Sequence, residues 1–206
     1  AISGGSTPIG LFTEILTQID KKFEIKSNFF WVDERCVEPS SFDSNFGSAN
    51  KHFFCKTNIS NNNIFRIRGE ENPEIEASNY TELLKTKTEI INNIPSLDLC
   101  LLGIGGDGHT ASIFPHELKK LSDKTDCVVG INPDSGQKRV SLSIKQINNS
   151  KEVIFHVCGS GKKDVVDMII SKRDNYLDLP ASHILPKSKN LSWYLDFDSA
   201  ETFMGT

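Results

Sequence analysis

Short apolar runs alternate along this chain with stretches whose apolar residues recur at helical spacing, and this alternation constrains the fold more than any other feature. The apolar runs predict buried strands at 29–32, 97–102 and 153–158. The amphipathic stretches predict helices at 8–19, 44–54, 75–91 and 162–170. Strands that alternate with helices are typical of a mostly parallel sheet with helices on both faces, so we expect an α/β fold.

The later part of the chain adds two strands and a closing turn to this pattern. Val140, Leu142 and Ile144 alternate with serines, which is the period of a half-buried strand. Residues 191–195 predict a late strand, and residues 199–203 predict a final helical turn.

The start of the chain and one later stretch bear on domain organisation. The chain opens on Ala1-Ile2-Ser3, which resembles the end of a strand and is followed at once by glycines. A domain rarely begins on such a loop, so we expect that an N-terminal helix and most of a first strand are truncated. The stretch between Pro115 and Arg139 is short and predicted to be irregular. No linker or repeat interrupts the chain, so we expect residues 1–206 to form one domain.

Composition argues against several classes of function. Lys and Arg number 23 against 27 Asp and Glu, and the net charge of −4 disfavours a broad nucleic-acid-binding face. No run of about 18 apolar residues is present to cross a membrane. The five cysteines include no C-x-x-C pair, and the first residues do not resemble a signal peptide. We therefore expect reduced thiols and a cytoplasmic location.

Glycine and polar residues occupy four segments at the ends of predicted strands. These segments are 4–7, 33–35, 103–109 and 159–162. In parallel sheets, ligands bind beyond the carboxyl ends of the strands. We therefore expect the four segments to converge on one polar site.

The first segment has the features of an anion-binding loop. Gly4 and Gly5 allow the backbone to approach a ligand closely. The free N–H groups of the following helix, together with the hydroxyls of Ser6 and Thr7, favour an anion. A tight turn with Thr7 as the helix N-cap is the alternative interpretation. No Gly-Lys-Ser/Thr follows, so the segment is not a Walker A loop.

The third segment satisfies G-x-G-x-x-G literally, since Gly103-Ile104-Gly105-Gly106-Asp107-Gly108 follows a predicted strand. Dinucleotide binding is nevertheless disfavoured. Residues 109–114 predict only a short helical stretch before Pro115, and no clear second strand ends at Asp123.

The same loop carries His109, which is a candidate general base. Asp107 is placed to orient either the imidazole or the substrate. A surface histidine without a chemical role is the alternative. No spacing of metal ligands is present, so we expect no metal.

Basic residues accompany the remaining segments. Arg35, with Asp33 close by, can bind a phosphate, a carboxylate or a developing oxyanion through two parallel donors. Arg139 precedes a predicted strand. Lys162 opens a predicted helix, where a bound anion would offset its unfavourable interaction with the helix dipole. Ordinary surface ion pairs and solvation are the alternatives.

Taken together, these segments resemble the 6-phosphogluconolactonases. The matching stretches are 3–8, 31–35, 44–45, 102–115, 139–143, 179–182 and 193–196. The block Asp107-Gly108-His109-Thr110-Ala111-Ser112 is specific, and the other stretches support it. The resemblance covers essentially the whole chain and implies a Rossmann-like fold of the deaminase/lactonase type.

The resemblance implies hydrolysis of 6-phospho-D-glucono-1,5-lactone to 6-phosphogluconate in the oxidative pentose phosphate pathway, with no cofactor or metal. The residues that it implies for catalysis are His109 as the general base, Asp107 and Arg35. Those implied for binding the substrate and its phosphate are Gly4, Gly5, Ser6, Thr7, Asp33, Arg139 and Lys162.

The related glucosamine-6-phosphate deaminases resemble this chain less. After their Asp-Gly-His block they carry a glutamate, whereas residues 112–115 here contain no carboxylate, and Arg35 stands where they usually have tyrosine. A non-catalytic sugar-phosphate-binding protein is the third alternative, against which the presence of His109, Asp107 and Arg35 argues. The expected partner is a phosphorylated lactone, and fusion to or association with glucose-6-phosphate dehydrogenase stays open.

Overall fold

The computed structural model describes residues 1–18 and 26–204. Its helices are α1 Thr7–Gln18, α2 Asn45–His52, α3 Pro73–Lys87, α4 Leu118–Leu121, α5 Ile144–Asn148, α6 Lys163–Ile170 and α7 Glu201–Met204. Its strands are β1 Phe29–Phe30, β2 Asp33–Arg35, β3 Ile64–Phe65, β4 Glu89–Ile91, β5 Ile94–Ser96, β6 Cys100–Leu102, β7 Val128–Ile131, β8 Lys138–Ser141, β9 Val153–Val157 and β10 Leu191–Leu195.

A parallel sheet forms the centre of the fold. Strand β9 pairs in parallel with both β10 and β6, and β1 pairs in parallel with β3. The opening residues join these two groups. The Leu101 N–H donates to the Ala1 carbonyl at 2.9 Å, and the Ile2 N–H donates to the Phe30 carbonyl at 2.9 Å. The order across the sheet is therefore β3, β1, residues 1–2, β6, β9, β10.

Helices cover both faces of this sheet, which confirms the predicted α/β class. Helix α1 lies against one face, where Leu11 and Phe12 share a crevice with Leu101. Helix α6 lies against the other face, where Ile169 borders the same cavity as Trp193. No helix within residues 1–18 and 26–204 has the length and apolarity needed to cross a bilayer.

A second, antiparallel sheet begins with β2, which follows β1 in the chain. Strand β8 pairs with β2 on one side and with β7 on the other. In this register Arg35 is directly opposite Arg139, so two residues far apart in the sequence become neighbours. The stretch between Pro115 and Arg139, predicted to be irregular, instead contains α4 and β7. Their short runs give too little periodicity to be recognised in the sequence.

The predicted helix at 75–91 is wrong at its C-terminal end. Helix α3 begins at Pro73 after the N-cap Asn72 and ends at Lys87. Residues 89–91 form β4, which turns into β5 through Asn92 and Asn93 at φ of 54° and 61°. Asparagine tolerates this left-handed conformation, so the pair makes a tight hairpin where an apolar run suggested more helix.

Two shorter predictions are also wrong in part. Residues 109–114 are not helical, because Ala111 has a φ of 48° and a turn closes from Thr110 to Ile113. Ile144 begins α5 instead of ending a strand, since Ser143 and Gln146 form a capping box there. Ile19, the last apolar residue of the predicted first helix, lies outside the described residues.

Candidate active site

A pocket of about 240 Å³ lies at the carboxyl ends of the opening segment, β6 and β9, where Ser3, Gly103 and Cys158 border it. Nine of the ten residues singled out from the sequence line this pocket: Gly4, Gly5, Ser6, Thr7, Asp33, Arg35, His109, Arg139 and Lys162. The tenth, Asp107, contacts His109. The structure therefore brings all of the predicted site residues together at one edge of the sheet.

The glycine loop depends on a left-handed backbone conformation at Gly5 and on a close approach at Gly4. Gly5 has a φ of 89°, a left-handed conformation that glycine adopts without strain. A Cβ atom at Gly4 would collide with the side-chain amide of Asn45. Helix α1 begins at Thr7, one residue earlier than predicted, and its first residues Thr7 and Pro8 line the pocket together with Ser6.

His109 and Asp107 form a hydrogen-bonded pair. The His109 Nδ1 lies 2.6 Å from the Asp107 Oδ1, which also accepts the His109 backbone N–H at 3.2 Å. Burial by itself raises the pKa of Asp107, but the hydrogen bond and charge of His109 outweigh it, and the pKa lies below its usual value. An ionised Asp107 accepts the proton on Nδ1, and this assignment leaves Nε2 with a free lone pair.

Gly105 makes room for this pair. Its N–H donates to the His109 carbonyl at 2.8 Å, and a Cβ atom there would collide with the imidazole. Gly105 of the G-x-G-x-x-G pattern thus allows a tight loop around a histidine.

No carboxylate of residues 1–18 and 26–204 forms an ion pair with the pocket cations Arg35, Arg139 and Lys162. Arg35 Nη1 donates to the Asp43 carbonyl at 2.6 Å. Within the described ranges, the side chains of Arg139 and Lys162 have no hydrogen-bond or ion-pair partner, and the buried Nε atoms of Arg35 and Arg139 are unpaired. Burial lowers the pKa of Arg139, and the neighbouring charge of Arg35 lowers it further. Such unpaired guanidinium and ammonium groups suit a bound anion.

Asp33 is the buried carboxylate of the pocket, and it is held from two sides. Its Oδ2 accepts from Ser112 Oγ at 2.6 Å, and its Oδ1 accepts from Asn45 Nδ2 at 3.3 Å. Asn45 was missed as a site residue by the sequence reasoning, although it lines the pocket and its Oδ1 is buried without a partner. The stretch 44–45 was part of the resemblance, but no role followed from it for Asn45.

The short loop that carries Lys162 is anchored by a carboxylate that lies just after the end of β10. Asp196 accepts the Gly159 N–H at 2.9 Å through Oδ2 and the Ser199 N–H at 2.9 Å through Oδ1. Gly159 has a φ of 97°, which sets the direction of the loop. Asp196 was part of the resemblance, but no role followed from the sequence.

Comparison with known families identifies the class of protein that has this fold and this pocket. The model of the glucosamine-6-phosphate isomerases/6-phosphogluconolactonase family matches residues 1–193, so the chain belongs to that family. Within it, the 6-phosphogluconolactonase of Treponema pallidum is 38% identical over 91% of this chain and 78% of that protein.

Two further relatives bear on the fold and on possible partners. The crystal structure of devB protein is 38% identical, with a TM-score of 0.91 over 98% of this chain and 86% of that chain. The GDH/6PGL endoplasmic bifunctional protein of Homo sapiens is 32% identical over 97% of this chain, which corresponds to 25% of that larger protein.

Proposed function

We propose that this chain is a 6-phosphogluconolactonase, a carboxylic ester hydrolase that converts 6-phospho-D-glucono-1,5-lactone to 6-phosphogluconate. The observation that carries the proposal is that the His109–Asp107 pair and the unpaired cations Arg139 and Lys162 line or adjoin a single pocket. The similarity to the Treponema pallidum enzyme over most of the chain supports it.

In the proposed reaction, His109 Nε2 takes a proton from a water molecule whose oxygen attacks the lactone carbonyl carbon. The carbonyl oxygen becomes an oxyanion, and Arg35 provides N–H donors to stabilise it. When the intermediate collapses, the ring C–O bond breaks, and the proton on His109 passes to the departing ring oxygen. The products are a carboxylic acid, which ionises, and a free hydroxyl. No cofactor or metal is needed, because a lactone is already an activated ester.

The phosphate of the substrate is proposed to bind at the cationic end of the pocket. Arg139 and Lys162 supply charge, and the loop from Gly4 to Thr7 supplies backbone and hydroxyl donors, with Asp33 available to accept from sugar hydroxyls. Binding energy from a phosphate remote from the reacting carbon orients the lactone for attack. The presence in the pocket of Arg139 and Lys162, which the proposed chemical step does not use, supports this assignment.

An assay of freshly generated 6-phosphogluconolactone, corrected for spontaneous hydrolysis, tests the proposal. We expect hydrolysis in proportion to the enzyme concentration. A rate no higher than the spontaneous rate refutes the proposal. Ammonia release from glucosamine 6-phosphate would instead indicate a deaminase, and binding of NAD(P) would indicate a dehydrogenase.

The organisation of the protein in the cell belongs to the same proposal. We propose that residues 1–206 act as one lactonase domain in the cytoplasm, and the five free cysteines support a reducing compartment. Fusion to or association with glucose-6-phosphate dehydrogenase is supported by the human bifunctional relative. Co-purification of dehydrogenase activity with this protein from its native cells tests that association, and its absence refutes it.

A further inference from the structure

A single aromatic ring contacts both the base and a cation of the pocket. The Phe114 ring centroid lies 4.8 Å from that of His109, and the Arg139 Cζ lies 5.6 Å from the same centroid. Phe114 is 1% exposed, so its ring is fully enclosed by protein. The second distance is within the range of a cation–π interaction.

The backbone on both sides of Phe114 is restrained, so the buried ring projects from a fixed position. Pro115 restricts the preceding residue to extended conformations, and Phe114 has φ and ψ of −96° and 152°. The Ile113 N–H donates to the Thr110 carbonyl at 3.0 Å, and the Ser112 N–H donates to Ser141 Oγ at 3.1 Å. The turn that precedes Phe114 is therefore closed on itself and tied to β8 through Ser112.

His109 and Arg139, the two residues that contact Phe114, have few polar partners to hold their side chains in position. Arg139 faces the like charge of Arg35 across the strand pair and has no polar side-chain partner in residues 1–18 and 26–204. His109 is held by one side-chain hydrogen bond, to Asp107. One hydrogen bond sets the position of Nδ1 but leaves the ring free to tilt about it.

We propose that Phe114 is a positioning residue that fixes the His109 imidazole and the Arg139 guanidinium relative to each other. The proposal rests on the proposed lactonase function, in which these two groups act on opposite ends of one substrate. Loss of the ring then lowers kcat through His109 and weakens phosphate binding through Arg139 in the same variant.

Phe114→Leu is the main test, and Phe114→Met, with a longer flexible side chain, is the second variant if leucine leaves the protein poorly folded. Phe53→Leu is the matched control, since Phe53 is 3% exposed and stacks on Phe12 outside the pocket. We expect the Kd for 6-phosphogluconate to rise by about 2- to 30-fold in the Phe114 variants, the range of a lost cation–π contact. We also expect kcat to fall, while Phe53→Leu lowers Tm and leaves kcat and Kd unchanged.

Wild-type kcat and Kd in a folded Phe114 variant would overturn the proposal, as would equal kinetic losses in Phe53→Leu. Titration of the His109 ring by NMR, with and without 6-phosphogluconate, gives a readout independent of turnover. If the wild-type protein does not hydrolyse the lactone, the lactonase function is refuted and the positioning role of Phe114 is not. In that case, a His109 titration and a 6-phosphogluconate affinity unchanged in the Phe114 variants would overturn the positioning role.

Discussion

Replacement of His109 by alanine is the most direct perturbation of the proposed reaction. The substitution removes Nε2, the atom proposed to take the proton from water, but leaves Arg139 and Lys162 in the pocket. A positioned general base contributes about 10²- to 10⁴-fold to a rate, which corresponds to ~3–5 kcal/mol of transition-state stabilisation. We therefore expect kcat to fall by that factor and KM to change little.

Asp107→Asn tests the same pair from the other side. Asparagine can offer an N–H to Nδ1, which favours the tautomer whose Nε2 carries the proton and cannot act as a base. We expect a large loss of kcat, and we expect His109→Ala to be no worse when combined with Asp107→Asn, because the two residues act as a unit.

The assay follows acid release from fresh 6-phosphogluconolactone at several enzyme concentrations, so that spontaneous hydrolysis is subtracted. His52→Ala is the matched control, because His52 closes α2 and does not line the pocket. A His109→Ala enzyme with a kcat close to wild type would show that the base is another group. Additive losses in the double variant would show that Asp107 acts separately from His109.

Three further predictions follow from the same pocket. Arg139→Ala and Lys162→Ala should each raise the Kd for 6-phosphogluconate by about 10- to 100-fold, which corresponds to the free energy of one hydrogen bond to a charged group, and should change kcat less. A Kd measured by calorimetry that is unchanged in both variants would refute the phosphate assignment. Gly4→Ala should lower both Tm and activity because its Cβ collides with the Asn45 amide, whereas Gly10→Ala, which meets open space, should not; equal melting temperatures would contradict the close approach. The pKa of Asp107 is lowered in the folded protein, so the wild type should be more stable than Asp107→Asn above the unfolded pKa of about 4. This extra stability should be lost as the pH falls through the folded-state pKa. Denaturation at several pH values measures the difference in stability, and a difference that does not change with pH would contradict the His109–Asp107 pair.

The main strands could be predicted because each is a short run of apolar residues, and such a run favours burial. Strand β9 and strand β10 lie where the apolar runs at 153–158 and 191–195 predict them. Strand β7 and helix α4 were missed, since four residues carry too little periodicity to separate helix from strand. The hairpin at Asn92 and Asn93 was missed because the apolar residues before it continue a helical pattern.

Parts of the site that lie close together along the chain were also accessible from the sequence. His109 and Asp107 are two residues apart on a glycine loop, so their contact follows from local geometry. The loop from Gly4 to Thr7 precedes a helix, and this position is what predicts an anion-binding loop.

The amino-acid sequence by itself determined that the longer apolar segments are buried and that a histidine, a carboxylate and glycines occur at strand ends. Only the tertiary structure decided that Arg35 meets Arg139 across β2 and β8, that Ser112 holds Asp33, and that Phe114 touches both His109 and Arg139. The physical reason is that periodicity reports whether a face is buried and not what buries it. Strand register and loop closure between distant segments choose the partners, and they depend on the packing of the whole chain.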